Sequence, residues 1–433
     1  MSPIAVGIIG ILVLFILLAM RMQIGFAMAL VGFLGFIVLN SFESAIGVLG
    51  IEPFNTAAAY TLSVIPLFLL MGQFANHSGM GSELYEMLYK WIGFLPGGLA
   101  MATVGACACF AAISGSSLAT AAMFGTIALP EMKKLHYSDK LATGCIAAGG
   151  TLGILIPPSS VLILYGILTE QSIARLFIAG IFPGICLALL FMSAIYVMTR
   201  ANPSLGAPGP TFSLKEKVVS LKATGSLLAL FILVIGGLYT GWFTATEAAG
   251  VGAFGAFAVA IVKRRLTWKN LLASLKDTAG STAFIFGILI GAMIFQYFVT
   301  LSQIPSTLAG YIMGVGINRY LVVSAIIMAF MVLGCFMEGL SIMVLAVPIV
   351  YPIVVQLGFD PIWFGVIITL TMEMSLITPP VGVNVFVLSG VAKDVPMYTI
   401  FRGILPFWLA MIGCIALLTA FPDIVLFLPR SMM

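Results

Sequence analysis

Charge is what this sequence has least of. Only 8 % of its 433 residues are Asp, Glu, Lys or Arg, against roughly 25 % in ordinary soluble domains. That scarcity excludes a soluble globular protein, and the net charge of +4 needs no nucleic-acid partner. Histidine is almost as rare, with only His77 and His136. Neither belongs to an HExxH pair, and no GxxxxGK[ST] phosphate loop occurs, so zinc-protease and ATP-driven readings lose their usual signatures. The six cysteines (Cys107, Cys109, Cys145, Cys186, Cys335 and Cys414) lack metal-ligand spacing. They read as small apolar core residues.

What is abundant is hydrocarbon: 61 % of the chain is apolar, in uncharged runs such as Ile4–Met20 and Ile404–Ala420. Runs near 20 residues match the thickness of a bilayer core. The chain is therefore an all-α, multi-pass membrane protein. The first run follows Ser2-Pro3 without a basic segment, so a retained span is expected rather than a signal peptide. Spans are predicted near 3–20, 24–40, 57–76, 141–168, 174–199, 223–240, 244–262, 281–300, 362–391 and 403–427. Stretches 97–130 and 319–352 are interrupted halfway and are predicted to be re-entrant hairpins. Segments 80–94 and 264–279 are predicted to lie along the interface.

Positive charge tests this arrangement. With the N-terminus outside, sixteen Lys and Arg side chains fall in the cytoplasm; only Arg175, Arg319 and Arg430 fall outside. Basic loops stay in the cytoplasm, and treating either hairpin as a crossing would spoil the asymmetry. Segment 201–222, with Pro203, Pro208 and Pro210, reads as a cytoplasmic linker between halves 1–200 and 223–433. The halves match at a constant offset of 222: Pro130 with Pro352, and Pro157-Pro158 with Pro379-Pro380. An odd number of spans separates equivalent points, so inverted repeats are expected, a common plan of secondary transporters.

The double prolines are the strongest local signal. Proline inside a helix costs about 3 kcal/mol, and the backbone groups it frees cannot be satisfied by lipid. They become tolerable where they line a cavity and hold an ion or polar solute. Two polar hairpin tips, "ISGSSLAT" (Ile113–Thr120) and "FMEGLSIM" (Phe336–Met343), supply matching material. Neutral oxygen donors are Ser114, Ser116, Ser117, Thr151, Ser341, Ser375, Thr378 and Asn384. Hydroxyls of this kind also bond to their own helix backbone, and small residues also pack helix on helix. Glu338 and Glu373 are intramembrane acids and so functional candidates, while Glu247 reads as a solvated helix end.

At these residues the chain resembles the large membrane subunit of tripartite ATP-independent periplasmic (TRAP) transporters, the DctM family. The resemblance rests on "RMQIGFAM", "AAISGSSLATAA", "LATGCIAAGGTLGILIPPSS", "YGILTEQSIARLFIAGIFPG" and "EMSLITPPVGVNVFVLSG". It implies a sodium-coupled, elevator-type importer of organic anions, usually carboxylates, in the bacterial inner membrane. Its partners would be a separate small four-helix membrane subunit (DctQ-like) and a periplasmic substrate-binding protein (DctP-like). Scaffold helices would lie within 1–56 and 223–262, and the hairpin and broken-helix units within 97–170 and 319–392. One sodium is then expected near Ser114, Gly115 and Ser116 with Gly150 and Thr151. A second is expected near Glu338, Gly339 and Ser341 with Ser375, Thr378 and Pro379. Substrate is expected between the tips, at Ser116, Ser117, Thr151, Gly339, Ser341, Thr378 and Asn384. Glu338 stands where Asp is frequent and Ser375 where Gly is frequent.

Three other readings compete. A carrier of the same superfamily could work without a binding protein. A passive channel would also use broken helices, and uphill accumulation separates it from a carrier. An intramembrane hydrolase would need Ser116 or Ser117 as nucleophile, but both histidines lie near predicted cytoplasmic loops.

Overall fold

The computed structural model describes residues 2–432, and among them every regular element is helical. The opening helices are α1 (Pro3–Ala19), α2 (Ile24–Leu39), α3 (Phe42–Ala58) and α4 (Val64–His77), preceded in turn by Ser2, Gln23, Ser41 and Ser63. Then come α5 (Met80–Ile92), α6 (Gly98–Ser114), α7 (Ser117–Lys134), α8 (Asp139–Leu155), α9 (Ser160–Thr169) and α10 (Ile173–Ala201). A connector of residues 202–213 leads to α11 (Leu214–Tyr239), α12 (Ala245–Val262), α13 (Trp268–Leu301), α14 (Ile304–Gly314) and α15 (Arg319–Gly334). The chain closes with α16 (Gly339–Gln356), α17 (Pro361–Ser375), α18 (Val383–Val391), α19 (Met397–Ala420) and α20 (Asp423–Ser431).

Helix boundaries repeat at the offset read from the prolines. Shifting α7 by 222 residues gives the bounds of α16, and shifting Asp139 and Thr169 gives Pro361 and Val391. The shift also carries α2 to within one residue of α12 at both ends. Packing follows the same rule with the halves exchanged. α2 lies on α13 while α12 lies on α4, and α7 touches α18 while α16 touches α9. Each half thus completes the other.

Burial separates centre from periphery. Over an 18-residue apolar stretch the broken helix of Asp139–Thr169 has 83 % of its residues buried inside the protein, whereas α11 and α12 have 33 % each. Among the described residues seven helices are long and apolar enough to cross a membrane, or eight if α3 and α4, bent by 51° at Ala59, form one span. Without a hydrophobic drive between helices in lipid, close backbone approach holds them. A Cβ on Gly291 of α13 would strike the Gly25 carbonyl of α2, and one on Gly144 of α8 the Gly403 carbonyl of α19. Tyr165, fully buried in α9, donates to the Pro361 carbonyl at 2.7 Å and ties the first half to the second.

Several segments differ from the sequence reading, among them α14, which falls between a predicted span and a predicted hairpin. Residues 264–279 do not form a separate interfacial helix. Thr267 caps α13, and no proline interrupts the 34 residues that follow, so the polar first turns continue into the span. Residues 42–56, which lie between two predicted spans, belong to α3, with Ser41 as its cap. The last predicted span breaks at Phe421-Pro422, so α19 ends at Ala420. Glu247 does sit at a helix end, where it completes a capping box with Thr244 at the start of α12.

The connector is pinned rather than loose. Gly206 accepts from the Gly97 amide, Leu205 from the Ser138 amide, and Ala207 from the Tyr137 hydroxyl. On the same side Lys133 of α7 donates to Asp394 beyond α18, which holds that exposed carboxyl below its usual range.

Candidate functional site

The first hairpin tip follows from three consecutive residue types. Gly115 takes a left-handed conformation (φ +60°), which ends α6 at no steric cost. Ser116 then caps α7, its hydroxyl accepting from the Ala119 amide at 3.3 Å. Ser114 and Thr120 share a hydrogen bond of 2.8 Å across the tip. That leaves Ser117, 1 % exposed, with a hydroxyl that has no partner within the protein.

The first proline pair works the same way. α8 stops at Leu155, and Ser159 caps α9 by accepting from the Leu162 amide at 3.2 Å. Ser160 reaches back and donates to the Gly115 carbonyl at 3.3 Å, fastening the break to the tip. In the second half Glu338 occupies the cap position of α16, and α17 ends at Ser375. The Thr378 hydroxyl donates to the Met374 carbonyl and accepts from Trp408 Nε1 at 3.0 Å. Gly382, at φ +57°, lets α18 begin. Both Pro-Pro bonds, Pro157-Pro158 and Pro379-Pro380, are cis.

These four helix starts meet. The first residues of α7, α9, α16 and α18 (Ser117, Ser160, Gly339 and Val383) all line one cavity of about 350 Å³. Each helix N-terminus carries a partial positive charge of about half a unit and unpaired amides. Glu338 and Glu373 are the cavity's only ionisable lining residues, and each has a buried carboxyl oxygen without a hydrogen-bond partner. The 222-residue shift relates Glu338 to Ser116 and Glu373 to Thr151. The second half therefore places acids where the first places hydroxyls.

The residues expected at the site divide. Gly115, Ser116, Ser117, Glu338 and Gly339 line the cavity. Ser114, Thr151, Ser341, Ser375 and Asn384 are buried just outside it. Thr151 donates to the Ala148 carbonyl and Ser375 to the Met372 carbonyl, both at 2.6 Å, so each hydroxyl keeps only its acceptor capacity free. Gly150 lies against Ala121 and the Ser117 carbonyl, and Gly334 against Ser375, so these glycines permit tip and broken helix to touch. Thr378 and Pro379 are held at the second break. Asn384 is fully buried in α18 with both amide atoms unpartnered.

Sequence reasoning missed one wall. Leu69 of α4 and Gly280, Ser281, Phe284 and Ile285 of α13 close the cavity from outside the hairpin units. Thr369, Met372 and Ser160 complete it. Ser160 had a signal in "PPSS"; the α13 residues had none, being ordinary members of an apolar helix.

Two polar-tipped helix pairs and two interrupted helices around one cavity define a membrane transport protein. The chain belongs to the DctM family: the family model "Tripartite ATP-independent periplasmic transporter, DctM component" matches residues 11–424. It is thus a large permease component of such a transporter, a multi-pass protein of the bacterial inner membrane and not an enzyme. It is 37 % identical over 385 residues to the C4-dicarboxylate TRAP transporter large permease protein DctM of Pseudomonas aeruginosa, covering 88 % of this chain and 89 % of that one. It is 32 % identical over 417 residues to the sialic acid TRAP transporter large permease protein SiaM of Vibrio cholerae, covering 96 % of each. The fold is also that of the Alcanivorax borkumensis YdaH transporter, at a TM-score of 0.64 and 14 % identity over 88 % of this chain and 89 % of that one.

Proposed function

We propose that this subunit imports a small organic anion of the carboxylate class, driven by co-transported sodium. The observation that carries the reading is the convergence of four helix N-termini on one cavity. Their amides and dipoles offer an anion site without arginine or lysine among the lining residues. The two relatives named above are permeases for a C4-dicarboxylate and for sialic acid, both carboxylates, which supports that substrate class.

Sodium fits the other side of each break. One ion is held by Ser114, Gly115, Ser116, Gly150 and Thr151, and a second by Glu338, Gly339, Ser341, Ser375, Thr378 and Pro379. Hydroxyl, carbonyl and carboxylate oxygens are the hard donors such a cation takes, and helix C-termini present carbonyls to it. Glu338 and Glu373 then balance cation charge in a site that must also accept an anion. Substrate meets Ser116, Ser117 and Gly339 in the cavity. Thr151, Ser341, Thr378 and Asn384 support these residues from behind.

Import proceeds by an elevator movement in which hairpins and broken helices pass a scaffold built on α1–α4 and α11–α13, the halves lying inverted in the membrane. A periplasmic binding protein delivers substrate, and a small membrane subunit extends the scaffold, as the tripartite family description implies. Ser116→Ala and Ser341→Ala should each raise the sodium concentration for half-maximal uptake severalfold in a reconstituted transporter. Unchanged half-saturation in both variants would remove these ion assignments.

A further inference from the structure

A second cavity, of about 550 Å³, runs between α15 and α19 with Met374 of α17 on its floor. Its α15 wall extends from Tyr320 to Met331, and its α19 wall from Trp408 to Ala420. The two walls are antiparallel, as a chain of contacts shows. Tyr320 packs on Phe359, Phe359 stacks on Trp363, and Trp363 Nε1 donates to the Leu418 carbonyl, so the Tyr320 and Ala420 ends lie together. The other end lies beside the second break, where Trp408 bonds to Thr378. At 1.5 Å per residue each wall is roughly 17 Å long, close to the ~15 Å depth of one hydrocarbon leaflet.

The shallow end carries a cation. Arg319 lies over the rings of Tyr320 and Phe359, at 5.1 and 5.3 Å, and donates to the Tyr320 hydroxyl at 3.3 Å. Among the described residues no carboxylate pairs with it. The neighbouring acid, Asp360, is engaged as the cap of α17, accepting from the Ile362 and Trp363 amides. An apolar slot one leaflet deep, headed by an unpaired guanidinium at the interface, matches one molecule in both shape and charge.

We propose that this groove binds a phospholipid, one acyl chain lying along α15 and α19 and the phosphate meeting Arg319. Arginine is suited to phosphate through its planar fork of donors. The chain end reaches Met374 and Trp408, which border the second proline break, so the lipid props the second hairpin from its lipid-facing side. The site is separate from the transport cavity, and its occupant is neither substrate nor coupling ion.

Native mass spectrometry of the purified large and small subunits together should show one retained phospholipid per large subunit. Ala416→Trp, which fills the groove, should abolish that adduct, and Arg319→Gln should lower the retained phosphatidylglycerol at least fivefold. A second measurement does not depend on folding of the filled variant. In vesicles containing phosphatidylglycerol brominated on its acyl chains, the fluorescence assigned to Trp408 (wild type minus Trp408→Phe) should be quenched saturably. Half-quenching should come at a low brominated fraction and move severalfold higher in Arg319→Gln. Quenching that rises in proportion to brominated lipid and ignores Arg319 would mean ordinary annular contact and overturn the proposal. So would an unquenched Trp408 with no lipid adduct, which would mean that a helix of the small subunit covers the groove.

Discussion

Gly153→Ala should reduce sodium-driven uptake by one to two orders of magnitude. A Cβ at Gly153 would lie 2.7 Å from the Ser116 carbonyl oxygen and 3.0 Å from the Ser117 Cα. Both are backbone atoms of the first tip, so no side chain can rotate away and the tip itself must move. Overpacking of this kind costs about 1–3 kcal/mol, which corresponds to roughly a five- to 150-fold loss of the native tip geometry. The affected residues are Ser116, which caps α7, and Ser117, which faces the cavity with an open hydroxyl. Gly47→Ala, at a position with nothing within 4 Å, is the matched control and should leave uptake within about twofold. The check is initial uptake rate in proteoliposomes at equal protein incorporation. Equal rates for Gly153→Ala and wild type would show that the tip does not need its close seat on α8.

Glu373→Gln should lower uptake at least tenfold while leaving the melting temperature unchanged or higher. Glu373 is 1 % exposed, and its buried oxygen has no partner. A buried carboxyl in that condition burdens the fold, because its desolvation is not offset by hydrogen bonds. Glutamine keeps the shape but can carry no charge, so a structural role would show as lost stability and a transport role as lost uptake. Uptake and melting temperature falling together would assign Glu373 to the fold instead. Glu338→Gln tests its neighbour in the same way.

How far the sequence carried this account can be judged residue by residue. The breaks and the first tip were legible because their causes are local: two prolines cannot continue a helix, Gly115 supplies a left-handed cap, and a serine starts the next turn. The repeat was legible because prolines are scarce enough in apolar sequence for their register to stand out. The α13 wall was not, since Phe284 and Ile285 look like any membrane-helix residues until α2 and α4 fix which face turns inward. The division among the serines was also hidden. Ser114, Ser116 and Ser117 lie within four residues and are alike in sequence, and only the capping geometry decides which hydroxyl stays open. Gly153 stood in the quoted run beside Pro157, but its value as a gap for a backbone carbonyl depends on a contact across 37 residues to Ser116.

The central claim is that this cavity serves ion-coupled transport. Its most direct test is accumulation in proteoliposomes holding both membrane subunits, with the binding protein and a radiolabelled carboxylate outside. An inward sodium gradient should drive the label above its external concentration, and replacing sodium by potassium at equal ionic strength should abolish the accumulation. Equal accumulation in potassium, or uptake that stops at equilibrium in sodium, would contradict the account.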